Sequence, residues 1–312
     1  MKKLSAKISF LFGFIVTIIS NLGICIRNAV KIPIGVGGVV HITDTSHQST
    51  KGRGLLSFLN EVLYIISVNG EKDVDVTYQR TVYNDSPEEN MWDYYFEPVV
   101  KDLAVKRVYR YFFVTKAYKN HRVDQKQKYR NLFHSILSDR IRIKKEITEK
   151  SDQFYNRKLK GEKCLGVHYR GGEDALKYIS ANPYNIKYPL SGYLEKVDRI
   201  LSEGFTKIFL ATDDPKALEE FGKRYGAKVV SYSTHQNDVV RGIRHITSQN
   251  RRVLGEEVLI DCLLLSRCDY LIHGASNIPV TAKFINPTLQ GEDVDVKKQA
   301  FTREMAMRFL SI

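Results

Sequence analysis

A chain of 312 residues has room for two ordinary domains or one large one, and its 43% hydrophobic and 27% charged residues exclude wholesale disorder. The formal net charge of +13, from 48 Lys and Arg against 35 Asp and Glu, favours anionic partners: phosphates, nucleic acid or an acidic membrane surface. The four cysteines, Cys25, Cys164, Cys262 and Cys268, contain no CxxC pair and no zinc spacing, so a reduced compartment is the simpler reading.

In chain order, Lys2, Lys3 and Lys7 precede residues 8–26, which carry no charge. The stretch is long enough to span a bilayer at about 1.5 Å per residue. Arg27 and Lys31 follow at once, so both flanks are positive and orientation is open. No small-x-small cleavage site follows, so residues 1–30 read as a retained, membrane-associated hydrophobic helix, with a buried helix of the fold as the other reading. Residues 36–43 predict a strand opened by glycines, 44–52 a polar loop, 55–68 a helix and 73–83 an alternating strand. The segment NDSPEENMWDYYFEPV is polar, then densely aromatic. Residues 105–157 predict a long helical region with a break near Asn120. Its densest basic run, 122–150, reads as solvated helix faces, with Lys145 and Glu149 one turn apart.

The character changes at Gly161. KCLGVHYRGG is a short apolar strand ending in a basic, glycine-rich turn. A helix over 191–202, the strand KIFLATDDP, a helix to about Arg224, the strand AKVVSYS, a helix over 255–266, the strand DYLIHGASN and a helix from Ile278 follow. Strands alternating with helices predict a parallel sheet covered on both faces, with ligands beyond the carboxyl ends of the strands. Three polar clusters fall at those ends: His168 with Arg170, Asp213 with Asp214, and Ser276 with Asn277. Alternation puts His168 and Arg170 on one face. A guanidinium there can take a diphosphate bidentately, and Gly171 lets backbone N–H groups approach it. Asp213 and Asp214 could hold a ribose, a base edge or a metal, or cap the next helix before Pro215. The pair is contiguous rather than DxD, so no metal is invoked. Asp261 is a carboxylate in an apolar helix and needs a partner. Ser276 and Asn277 open a helix, where hydroxyl, amide and N–H dipoles suit a phosphate.

VHYRGGED, IFLATDDP and IDCLLLSRCDYLIHGASN resemble, in order and spacing, the three conserved segments of the α1,6-/protein-O-fucosyltransferase and nodulation-fucosyltransferase superfamily, the first being its HxRxxD segment. The resemblance covers about residues 161–287. Upstream, GRGLLSFLNEVL is similar to the loop and helix that open the N-terminal lobe, and NMWDYYFEP to an aromatic segment of related proteins. The resemblance implies an α/β, GT-B-like fold of two Rossmann-like lobes. The acceptor-side lobe would be residues 31–160, and the GDP-sugar lobe 161–312, with a last helix over 301–311. It implies that Arg170 holds the β-phosphate of GDP-fucose and stabilises the departing diphosphate. His168 and Asp261 would read guanine, Asp213 or Asp214 would fix the nucleotide side, and Ser276 would bind a phosphate. Catalysis would be metal-independent inversion with no cofactor beyond the donor substrate. Here Glu173 stands at the acid position of the first segment, followed by Asp174, and Tyr178 stands where some members carry a carboxylate. Candidate catalytic groups are therefore Arg170, Glu173 and Asp174, with Asp44, Glu61 and Asp93 as further candidate bases.

The expected activity is fucosyl or hexosyl transfer from a GDP-sugar to a glycan or lipid-linked glycan acceptor. The expected location is the cytoplasmic face of a bacterial inner membrane, or, alternatively, a single-pass type II orientation in a secretory compartment. Two rival classes are a silent GDP-sugar-binding protein and a basic nucleic-acid-binding protein. The latter is disfavoured because the aromatic cluster Trp92–Phe96 carries the acidic neighbours Asp93 and Glu97.

Overall fold

The structure, a computed structural model, describes residues 39–44, 53–69, 74–99, 106–110, 123–171, 189–232, 251–274 and 276–294. All of them fall in one compact unit, Gly38–Asp295. The apolar stretch 8–26, the segment 172–188 with Glu173, Asp174 and Tyr178, and the expected helix over 301–311 lie outside the described residues. Among the described residues no helix is long and apolar enough to cross a membrane.

The chain is an α/β protein with two parallel sheets. In the first, β1 (Val39–Asp44) lies between β2 (Val74–Tyr78) and β3 (Lys106–Arg110). Parallel neighbours need a crossover, and α1 (Leu55–Asn69) supplies it between β1 and β2. Leu55, Leu56, Phe58, Leu59, Val62, Leu63 and Ile65 are buried, and so are the polar Ser57, Asn60 and Glu61, so this helix has core on every side. β2 stops at Tyr78, earlier than its alternation predicts. Asn90 accepts from Tyr78 N at 2.9 Å and donates to Val76 O at 2.8 Å, and Arg80 turns the chain with φ 57°. β3 falls where a helix was expected. Val108 and Tyr109 favour extended backbone, and the register Ile42↔Tyr109 seats the segment beside β1. Next come α2 (Trp92–Tyr95), α3 (Gln127–Arg140) and α4 (Lys145–Lys158).

The second sheet has the order β6-β5-β4-β7-β8, formed by β4 (Cys164–Tyr169), β5 (Lys207–Thr212), β6 (Val229–Val230), β7 (Tyr270–His273) and β8 (Gln290–Asp293). All its pairings are parallel. The chain starts at the centre, winds out through β5 to β6, then crosses to β7 and β8, which puts the switch point between β4 and β7. One face packs on α5 (Leu190–Leu201) and α6 (Pro215–Tyr225), where Leu165, Val167, Ile208 and Leu210 meet Tyr193, Val197 and Phe221. The opposite face packs on α7 (Arg251–Leu265). There Gly166 leaves room for Leu265 and Cys268, each 3.1 Å from where its Cβ would stand. The last crossover is α8 (Asn277–Ile285). β8, sequence QGED, has no apolar alternation, so nothing in its composition predicted an edge strand.

Candidate active site at the carboxyl ends of the second sheet

His168 is one residue short of the end of β4, paired in register with Ala211 of β5 and His273 of β7. It is 4% exposed. Burial first, then His273 and Arg170, bring its imidazole down to about 3, so it is neutral. Its Nδ1 is sealed from solvent with no hydrogen-bond partner in the described structure. Native proteins seldom leave a sealed polar atom unpaired, so this nitrogen calls for a partner such as a ligand atom or a water.

Arg170 follows the strand and is half exposed, with its Nε 4.0 Å from Asp213 Oδ2. The other oxygen of Asp213 accepts from Gly171 N at 3.1 Å. One carboxylate thus holds the backbone turn and lies at the limit of ion-pair range from the guanidinium. Gly171 is required by close approach: a Cβ would stand 2.0 Å from Asp214 Oδ2 and 2.5 Å from the Tyr169 ring. Asp214 caps α6, accepting from Lys216 N at 2.9 Å, with Pro215 in the first turn. Both aspartates are engaged with the protein's own turn. Burial and then Asp214 and Asp213 push the Tyr169 phenol up to about 12. That ring is held edge-on to Tyr193 at 4.9 Å.

Beyond β7, Ser276 caps α8 by accepting from Ile278 N at 3.4 Å, and Asn277 is the first residue of that helix. Asp261 lies one turn before Leu265 on the stripe of α7 that faces the sheet, nearer the carboxyl ends than Gly166. Its Oδ1 is sealed and has no hydrogen-bond partner in the described structure. Burial first, then Glu257 one turn earlier, hold its carboxyl well above the usual carboxylate range. The Tyr232 phenol, pushed up to about 12 by burial and then by Glu256, Glu257 and Asp261, completes that cluster.

The structure therefore brings His168, Arg170, Gly171, Asp213 and Asp214 into one turn system. Ser276 and Asn277 stand at the neighbouring strand end, and Asp261 sits on the covering helix with Glu257. Glu173 and Asp174 lie outside the described residues, as does the side chain of Asp44. Glu61 is paired with Arg53 at 2.6 Å and accepts from Tyr78 Oη at 3.1 Å, while Asp93 is exposed on α2. Sequence reasoning missed two groups. Tyr83 is buried, accepts from Leu55 N at 3.1 Å and feels the charge of Arg170, which brings the start of α1 to this site. Lys283 is 4% exposed and reaches His273 Nε2 at 2.7 Å and Asp124 Oδ2 at 3.2 Å. A lysine inside the apolar run IPVTAKFI was the available signal, since a buried cation must be paired. Among the described residues no group of three His, Cys, Asp or Glu side chains could hold a metal ion.

No family model matches the chain, and no curated protein sequence matches it. Solved structures do. Two crystal structures of the fucosyltransferase NodZ from Bradyrhizobium, one with selenomethionine, share 15% identity with it. They cover 82% of this chain and 93–94% of theirs, with TM-scores of 0.52 and 0.50. A structure of NodZ alpha-1,6-fucosyltransferase soaked with GDP-fucose shares 16% identity over 81% of this chain and 94% of its own, with a TM-score of 0.48. The chain has the NodZ fucosyltransferase fold.

Proposed function

We propose that the chain is a glycosyltransferase that moves fucose from GDP-fucose to a glycan acceptor with inversion at the anomeric carbon. The observation that carries this reading is the turn at the end of β4. A half-exposed guanidinium lies at the limit of ion-pair range from Asp213, beside the neutral, buried His168 whose Nδ1 has no partner in the described structure, next to the sheet's switch point. The described parts of the three sequence segments that resemble the fucosyltransferase superfamily meet at the carboxyl ends of this sheet and on the helix that covers it, and the NodZ fold supports the same reading.

In this mechanism an acceptor hydroxyl oxygen bonds to the anomeric carbon as the bond to the β-phosphate oxygen breaks. The electron pair leaves with GDP, and the hydroxyl proton passes to a carboxylate, with Glu173 and Asp174 as candidates. Arg170 neutralises the charge that grows on the β-phosphate, so no metal is required. The guanine N1 and N2 donors would favour the ionised form of Asp261 against its burial and be accepted by its two oxygens, His168 pairs its Nδ1 with the base, and Ser276 and Asn277 present the start of α8 to a phosphate. Two Rossmann-like GT-B lobes, with acceptor bound by residues 31–160 and donor by 161–312, complete the proposal. Residues 8–26 would hold the enzyme at a membrane surface, beside a lipid-linked acceptor.

The test is a nucleotide and donor panel on the purified chain. GDP should raise the melting temperature where UDP and ADP do not, chelator should change nothing, and GDP-fucose should be consumed with acceptor. Arg170→Lys should lower kcat more than it raises KM, by about 10²–10³, because a point charge cannot reproduce the bidentate fork. Equal stabilisation by UDP, or normal turnover of Arg170→Lys, overturns the assignment. GDP binding with no transfer from any GDP-sugar would identify a silent binding protein.

A further inference from the structure

The interior behind α8 holds a chain of polar groups that the proposed chemistry does not use. Lys283 lies in the last turn of α8, and its ammonium is enclosed by Asp124 Oδ2 at 3.2 Å and His273 Nε2 at 2.7 Å. Asp124 itself is buried, and its backbone carbonyl accepts from Arg130 Nε. Arg130 also donates to Leu289 O at 2.9 Å, which ties α3 to the segment after α8. An ammonium has donors only, so His273 Nε2 must accept and the imidazole proton must sit on Nδ1. That nitrogen lies 3.0 Å from Gly274 O and donates to it. Gly274 opens the turn from β7 to Ser276, the cap of α8.

We infer that Asp124, Lys283 and His273 form an internal tether that holds the Gly274 carbonyl, and with it the start of α8, in position for the donor diphosphate, making Lys283 a positioning residue for donor binding. This rests on the proposed function for the identity of the ligand, but not for the tether itself. A bare Nε2–H tautomer of His273 would turn its donor away from Gly274 and leave the turn unpinned. Lys283 excludes that tautomer, and Asp124 holds Lys283 charged against its burial, which otherwise lowers its pKa.

The experiment has two arms on the full chain. The first is imidazole nitrogen–proton correlation NMR: His273 should be the Nδ1–H tautomer in the wild type and should lose that signature in Lys283→Met. The second is calorimetric binding of GDP and of guanosine. Lys283→Met should weaken GDP by about tenfold, the scale of one lost internal hydrogen bond, with guanosine binding unchanged because the base pocket is not tethered. His273→Asn places an amide N–H near the Nδ1 position and should keep GDP affinity close to wild type. An Nε2–H tautomer in the wild type, or unchanged GDP affinity in a folded Lys283→Met, overturns the inference. Equal losses of GDP and guanosine also overturn it. If the wild type binds no GDP, the proposed function fails, and the tether stands or falls on the tautomer measurement alone.

Discussion

At His168 the site links its chemistry to acid stability. The folded imidazole titrates at about 3, whereas an unfolded one takes a proton near its ordinary value of about 6.5. The folded pKa is depressed, so this contribution is fully present above about pH 6.5 and is lost as pH falls toward 3. The amount at stake is on the order of 3–5 kcal/mol for so buried a group. His168→Gln, neutral at every pH, should flatten the fall in denaturant midpoint between about pH 6 and 4. An unchanged slope would show that His168 is protonated or solvated in the folded chain. Asp261 has the opposite sign. Its folded pKa is raised, so its contribution is present at low pH and lost as pH rises through the raised value. Asp261→Asn should therefore be the more stable variant at alkaline pH, and under the proposed function it should also lose guanine recognition. Both residues stood out in the sequence because a polar group in an apolar run needs a reason. Their unpaired atoms, and the approach of Asp213 to Arg170 across 43 positions of chain, depend on pairings between strands that no local pattern encodes.

Helices carried their periodicity plainly, and the contrast between two helical glycines shows what periodicity leaves out. Gly222 in α6 has open space around its missing Cβ, whereas a Cβ on Gly255 in α7 would stand 2.1 Å from Tyr95 Oη and 2.5 Å from Cζ. Tyr95 cannot retreat: it is fully buried and donates to Arg252 O at 3.0 Å. Alanine in a helix interior gains about 1 kcal/mol over glycine, and overpacking costs about 1–3 kcal/mol. Gly222→Ala should therefore raise the melting temperature, and Gly255→Ala should lower it. A gain from both would mean that α2 does not pack on α7 as described. α1 and α5 to α8 were legible because each has an apolar stripe, a cap or a following glycine or proline. β3 was hidden in a basic run that reads equally as a helix face, and β8 has no apolar alternation, whereas β6 falls inside the expected strand AKVVSYS but pairs over two residues only. In each case the partner strand, not the segment's own composition, decides the state.

At the scale of the whole described unit, the two sheets share a core. One apolar cluster runs from Ile42, Val74 and Val76 of the first sheet through α1 to Phe209 and Leu271 of the second. Polar links follow the same path. Thr281 Oγ1 donates to Asn60 Oδ1 at 2.9 Å, Arg251 donates to Asn84 O at 3.2 Å, and His134 Nδ1 lies 3.1 Å from Phe284 O. The change of character at Gly161 is visible in the sequence, but this shared packing is not, because α1 carries apolar residues on all sides without naming their partners. Folding should accordingly be cooperative across Gly38–Asp295. Urea unfolding followed by Trp92 fluorescence, a probe buried in the first half, should coincide with unfolding followed by hydrogen exchange of β4 and β5 in the second half. A fragment beginning at Gly161 would expose the faces of α7 and α8 that bury Leu259, Ile260 and Phe284 and should aggregate or remain molten. Two separated transitions, or a native-like fragment, would instead make the two halves independent. Cooperativity also bears on the site, since Tyr83 and the start of α1 come from one half and Arg170 from the other. Under the proposed function, substitutions that loosen α1, such as Asn60→Leu, should then weaken GDP binding measured by calorimetry without touching any proposed nucleotide contact.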